Sequence, residues 1–175
     1  MLKHSKPQQS IPSVFVVKAL KKYSLDSSLP LLDLPCGFGR NSVFISSLGM
    51  EVISVDLDKD VFTDAWYKTN PLIRPIRLDV NNGLPFKTEV FSAIVIIDFY
   101  LPKMFIAFKE HVAIGGLIVY QTYSARGGNW MELPTVNEVK NSLGDDFDFL
   151  EYVENVVGPD KKNVTLKMIA RRISK

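Results

Sequence analysis

Apolar positions along this chain switch between two periods in a regular alternation. Val14, Val17, Leu20 and Tyr23 recur at helical spacing, with Lys18, Lys21 and Lys22 mostly on the other side. This predicts an amphipathic helix that opens at Ser13 and closes before Pro30. A short apolar run, Leu31 to Leu34, reads as a buried strand and stops at Pro35-Cys36-Gly37-Phe38-Gly39, where Pro and Gly oppose pairing. Val43, Phe44 and Leu48 then return to helical spacing up to Gly49. The same sequence of strand, turn and helix repeats down the chain. Val52 to Val55 is a second strand ending in Asp56, and Asp58 is placed to cap a helix through Ala65 and Tyr67. Ile73 to Leu78 is a third strand, ending in Asp79. Ala93 to Ile97 is apolar without alternation, as a parallel strand covered on both faces should be, and ends at Asp98.

The second half predicts a helix over Pro102 to Val112, a turn at Gly115-Gly116, a fifth strand over Leu117 to Tyr123 and a helix capped by Thr135 that runs to Leu143. The end of the chain changes character. Phe147 to Val156 and Val164 to Arg171 are strands joined by Gly158-Pro159-Asp160-Lys161-Lys162-Asn163, an antiparallel hairpin. Five strand-helix units followed by a hairpin imply a three-layer α/β sandwich whose sheet is mostly parallel, with one antiparallel strand near an edge. Residues 1–12 are polar, carry Pro7 and Pro12 and show no period, so they are expected to form a loose arm before a single domain over 13–175.

Composition narrows the functional classes. With 175 residues, 46% hydrophobic and 23% charged, the chain can bury one sizeable core and is not of a disordered type. A net charge of +2 is too small to draw in nucleic acid or an anionic membrane over a distance, so neither is expected as a partner. No run approaches a membrane span or a secretory leader. One cysteine, Cys36, and two histidines cannot build the usual zinc site or an internal disulfide, which points to the reducing cytoplasm and to no metal.

Candidate chemistry concentrates at the strand ends. In an open parallel sheet, ligands bind beyond the carboxyl ends of the strands where strand order reverses. Asp33, Asp56, Asp79 and Asp98 each fall at or near such an end, so this topology brings four carboxylates to one edge. Gly37 and Gly39 allow a sharp turn and close approach of a ligand to backbone, and the following helix start presents N–H groups. Asp56 follows Gly39 at close to the roughly 20 residues expected of an acid that binds ribose hydroxyls. A glycine pair alone also serves plain turn geometry. With the strand, loop, helix, strand and Asp in order, it specifies a nucleoside-containing ligand.

On these residues the sequence resembles the class I S-adenosylmethionine-dependent methyltransferases, in particular small ones such as the tellurite-resistance methyltransferases. The specific part is Leu31-Leu32-Asp33-Leu34-Pro35-Cys36-Gly37-Phe38-Gly39-Arg40, followed by Gly49 to Asp56, which is similar to the family's glycine motif and acidic ribose ligand. Leu78-Asp79-Val80 resembles its adenine-contact motif; Leu84-Pro85-Phe86, the strand to Asp98 and Gly115-Gly116 complete the pattern. The resemblance implies a Rossmann-like sheet of order 3-2-1-4-5-7-6 and S-adenosylmethionine as cofactor. It also implies cofactor contacts from Asp33, Pro35, Cys36, Gly37, Gly39, Asp56, Leu57, Asp79, Val80 and Asp98. Pro35 stands where the family commonly has Gly; it lacks an N–H but keeps its carbonyl, which the resemblance implies can accept from the ligand's amino group. A dehydrogenase would need a third Gly where Ser42 stands.

Each residue also has a plainer reading. Asp33 could cap the glycine turn, Asp79 could start the turn before Asn81-Asn82-Gly83, and Asp98 could merely end a strand. Cys36, with no base near it in sequence, reads as a small buried loop residue, and His4 and His111 as surface or core residues. Phe38, Tyr100, Tyr123 and Trp130 are candidate pocket aromatics, and Arg40 and Arg126 candidate anion contacts. The functional expectation is methyl transfer to a small acceptor by a chain with no identified catalytic residue. The alternative is a non-catalytic protein that binds S-adenosylmethionine or a partner on the same fold. The acceptor and the oligomeric state are not legible in the sequence.

Overall fold

A computed structural model of the chain describes residues 11–63, 69–101, 104–122 and 133–174. Helix α1 spans Val14–Lys22 and strand β1 Leu31–Asp33, followed by α2 (Arg40–Ser47), β2 (Val52–Asp56), β3 (Ile73–Arg77), β4 (Phe91–Ile97) and α3 (Met104–His111). The chain continues through β5 (Val112–Gln121), α4 (Glu138–Leu143), β6 (Phe147–Val157) and β7 (Asn163–Arg172). The strands form one seven-stranded sheet of order β3-β2-β1-β4-β5-β7-β6. β1 through β5 run parallel, and β7 lies antiparallel between β5 and β6. The mostly parallel sheet, the antiparallel hairpin and the strand order are therefore as expected.

Side chains of alternate parity divide the core into two layers. Leu31, Val52, Ala93, Val95, Leu117 and Val119 pack with Val16 and Ala19 of α1 and Ile45 of α2. Leu32, Ile94, Ile96, Ile118 and Tyr120 pack on the opposite face with Phe105 and Phe108 of α3 and Val139 and Leu143 of α4. β4 is buried at all seven positions, which explains its lack of alternation: a central parallel strand has no wet face. β1 lies between β2 and β4, so chain order reverses across it and the loops beyond β1 and β4 open a crevice at its carboxyl end.

Three local expectations are corrected. Gly115-Gly116 does not precede the fifth strand; β5 starts at Val112 and carries both glycines through a register shift against Phe91 and Ala93. A Cβ on Gly116 would lie 2.8 Å from the Ser92 carbonyl oxygen and 2.9 Å from that of Ala113, so the bulge admits only glycine. The segment after Asp58 forms a short 3-10 turn, Lys59–Thr63, in place of the start of a regular helix; Ala65 and Tyr67 lie outside the described residues. Asp58 still accepts the Asp60 N–H at 2.9 Å. Helix α4 is preceded by Asn137 at φ 61°, not capped by Thr135. Instead the Thr135 N–H and hydroxyl both donate to Glu138 Oε2, at 3.0 and 2.9 Å.

Candidate active site

The crevice is built first by the loop after β1. The Leu34 N–H donates to the Val95 carbonyl, and the Cys36 N–H to the Val55 carbonyl at 2.8 Å, so the loop is laced to the strands on both sides. Gly37 at φ 51° and Gly39 at φ 75° sit in the left-handed region, which explains why glycine stands at both. A Cβ on Gly37 would meet nothing within 4 Å, so the loop leaves open space above its backbone.

The end of β2 closes on this loop. The Gly37 N–H donates to Asp56 Oδ2 at 2.8 Å and the Asp58 N–H to Asp56 Oδ1 at 3.0 Å. Asp56 and the glycine turn, read from the sequence as two elements of one site, are in direct contact. A carboxylate offers about four acceptor positions, and these two bonds use one on each oxygen. Leu57 follows with 56% of its surface exposed. Its carbonyl accepts Arg77 Nε at 3.1 Å.

Asp33 is placed differently from the other acids. It is fully buried at the end of β1, accepts the Ser42 hydroxyl at 2.6 Å, and Ser42 in turn accepts the Ser54 hydroxyl at 2.7 Å. Burial pushes its carboxyl up to about 7, against the opposing pull of the Ser42 bonds, Arg40 and Asn41. Asp33 thus joins β1, α2 and β2 beneath the loop. Ser42, which argued against a dehydrogenase, holds this acid. Asp79 turns back on its own loop, accepting Asn81 N–H at 3.0 Å and Asn81 Nδ2 at 2.7 Å, and Val80 packs half-buried against the core.

The loop after β4 forms the opposite wall. Asp98 stands at φ 58°, uncommon for a residue with a side chain, and its N–H donates to the Gln121 carbonyl at 2.8 Å. Its carboxylate meets the Arg40 guanidinium of α2 at 3.8 Å, across the crevice. Tyr100 donates its hydroxyl to Glu138 Oε1. Burial, then the Glu138 bond and charge, push the phenol well above its usual range. Burial also raises Glu138, but the bonds from Tyr100 and Thr135 outweigh it and hold the carboxyl low.

Cys36 is buried beside the Gly37 carbonyl, and His111 is buried with its ring nitrogens 2.7 Å from the Ala107 carbonyl and 3.2 Å from that of Phe86. Both packing readings hold. His4, Tyr123, Arg126 and Trp130 lie outside the described residues. Among the described residues there is no group of three or more His, Cys, Asp or Glu able to hold a metal ion, and no helix long and apolar enough to cross a membrane. Sequence reasoning missed Glu138, although its position three residues after Thr135 is a capping-box spacing. It also missed that the Asn41 amide carbonyl accepts the Ser13 N–H at 3.0 Å, which ties the start of α1 to α2.

Comparison with known proteins matches this arrangement to one family. The family model described as "Tellurite resistance protein TehB" matches residues 15–164. A Haemophilus influenzae protein named "Probable S-adenosyl-L-methionine-dependent methyltransferase TehB" is 29% identical over 143 residues, 74% of this chain and 50% of the relative. The chain thus spans about half the length of the curated relatives it matches. The crystal structure of TehB from Haemophilus influenzae superposes with a TM-score of 0.64 at 27% identity, covering 90% of this chain and 61% of that one. An S-adenosylmethionine-dependent methyltransferase from Mesorhizobium loti shares the fold at 17% identity, with a TM-score of 0.67 over 91% of this chain and 99% of the other.

Proposed function

We propose that this chain, which belongs to the tellurite resistance TehB family, transfers a methyl group from S-adenosylmethionine to a small-molecule acceptor in the cytoplasm. The observation that carries the reading is the 2.8 Å bond from Gly37 to Asp56, which fuses the open glycine turn and the acid at the end of β2 into one unit at the point where strand order reverses.

The residues present suit an adenosyl group. Asp56 keeps acceptor capacity for two ribose hydroxyls beyond the two N–H groups it already serves. Gly37 leaves the space a side chain would fill. Leu57 follows β2, and Asp79 and Val80 come after the neighbouring β3, a position from which they would give the base an apolar surface with polar groups at its rim. Pro35, Cys36 and Gly39 shape the loop, and Asp33 holds it from below.

Bound S-adenosylmethionine supplies an electrophilic methyl group together with its own thioether leaving group. The protein then needs to orient donor and acceptor in line and exclude water, work that requires no nucleophile. This accounts for a site rich in binding groups in which Cys36, buried in the loop, is not called on as a nucleophile. The wall formed by the β4 loop and Tyr100 borders the acceptor side.

Calorimetry with S-adenosylhomocysteine tests the site. Asp56→Ala removes two charge-assisted hydrogen bonds and should weaken binding by roughly tenfold or more; unchanged affinity would count against the site. Labelled-methyl transfer to a panel of thiols, amines, oxyanions and RNA tests the acceptor class. Turnover confined to RNA would overturn the small-molecule reading.

A further inference from the structure

We infer that Gln121 and Lys167 form a subsite that grips a carboxylate on the methyl acceptor, Gln121 donating through its side-chain amide and Lys167 supplying the opposite charge. The inference rests on the methyl-transfer reading and gives its acceptor a chemical class. Three observations carry it.

The first is an unmade bond. Gln121, the last residue of β5, is 1% exposed, and its Nε2 has no hydrogen-bond partner among the described residues. Buried amide donors are nearly always paired, because an unmade bond leaves the cost of desolvating the group with nothing to offset it. An apolar side chain of similar length would fill the position without that cost. A donor here suits an oxygen that arrives with a ligand.

Position is the second. Gln121 stands opposite Ile97 in the ladder between β4 and β5. Its carbonyl accepts the Asp98 N–H at 2.8 Å, so the residue is built into the base of the wall after β4. Leu117 and Val119 face the layer of α1 and α2, and strand alternation sends Gln121 to the same side. That is the side on which the glycine turn enters α2. The amide therefore lies at the acceptor end of the crevice, beyond β4 and on the far side of β1 from Asp56.

Charge is the third. Lys167 is the partner of Gln121 across the antiparallel β5–β7 ladder. Directly opposed residues share a face, with Cβ atoms about 5 Å apart. Lys167 is exposed and makes no ion pair with another described residue. A neutral donor beside a single ammonium matches a group with two acceptor oxygens and one negative charge, which is a carboxylate. A dianion would leave one charge uncompensated next to the buried amide.

The test is nuclear magnetic resonance on the full chain saturated with S-adenosylhomocysteine, reading the Gln121 side-chain amide, which is identified by its loss in Gln121→Met. Sodium propionate should shift that signal saturably. Propionamide keeps an acceptor oxygen without the charge and should bind about tenfold more weakly; sulfate should leave the signal in place. Followed at the Thr122 backbone amide, propionate binding should weaken about tenfold or more in Gln121→Met and in Gln121→Glu. Lys167→Gln should bring propionate down to the level of propionamide and leave propionamide unchanged. Calorimetry should find the affinity of every variant for S-adenosylhomocysteine within about twofold of the wild type. Gln121→Met removes an unpartnered polar group, so it should melt no lower than the wild type; a lower melting temperature would assign the amide to the fold. If propionate leaves the Gln121 signal unmoved, or binds Gln121→Met as it binds the wild type, the subsite is refuted while the cofactor site stands. Sulfate acting as propionate does would refute the carboxylate assignment. If the wild-type protein does not bind S-adenosylhomocysteine, the functional reading falls and the subsite with it.

Discussion

The Ser42 hydroxyl donates to the buried Asp33 carboxylate at 2.6 Å while its oxygen accepts the Ser54 hydroxyl at 2.7 Å. This chain joins the first two strands to α2 directly under the glycine turn. Burial of Asp33 there, against the pull of the Ser42 bonds, gives a pH dependence of opposite sign to that of most carboxylates. Asp33 holds its proton up to about pH 7 in the folded state, against an ordinary value of 3.8. Between those values the native chain binds more protons than the unfolded one, so stability falls as pH rises. The contribution is complete below about pH 4 and lost above about pH 7. The slope reaches about 1.4 kcal/mol per pH unit at its steepest. Urea unfolding of the wild type and of Asp33→Asn at pH 5 and pH 8 should show the wild type losing more stability; parallel profiles would refute this.

Glu138 should behave in the reverse sense. Its carboxyl is held below the ordinary 4.5 by Tyr100 and Thr135 in spite of burial. Its contribution is therefore present above about pH 4.5 and lost as pH falls through the lower folded value. Glu138→Gln should cost about 1 kcal/mol at pH 7, and the difference should shrink toward zero in acid. A gap of constant size from pH 7 to pH 3, measured by denaturant unfolding, would show that the charge is not what matters.

Gly116→Ala probes the bulge in β5. The new Cβ would press on two backbone carbonyl oxygens and on Val112 Cγ2, all within 2.9 Å. Backbone in a central strand yields little, so about 1–3 kcal/mol of stability should be lost. A melting temperature equal to the wild type's would mean that β4 and β5 can slide in register.

Gly37→Ala separates folding from binding. The methyl group meets no atom of the protein, and its folding cost is the left-handed φ of 51°, about 1 kcal/mol. It does occupy the space assigned to the cofactor. S-adenosylhomocysteine binding should drop more than tenfold although the melting temperature falls by only a few degrees; retained affinity would place the ligand elsewhere.

Much of the architecture was legible because it depends on local pattern. The unbroken apolar run at Ala93 to Ile97 marks a strand covered on both faces, and the alternation of Val164, Leu166, Met168 and Ala170 marks the hairpin. Errors fell where local pattern is silent. Gly115-Gly116 reads as a turn by composition, yet the ladder with β4 carries the strand through it. Thr135 reads as a cap, yet the partner of its N–H and hydroxyl is the Glu138 side chain.

The amino-acid order alone determined which elements form, in what succession, and that acids end the strands, since periodicity and the stop signals of Pro and Gly act within a few residues. Only the tertiary structure decided what each acid does. Asp33, Asp56 and Asp98 look alike in the chain, but strand pairing buries the first on Ser42, docks the second on Gly37 and sets the third across from Arg40. Burial and partner distance depend on residues far apart in sequence, and these set a carboxylate's charge and its free lone pairs.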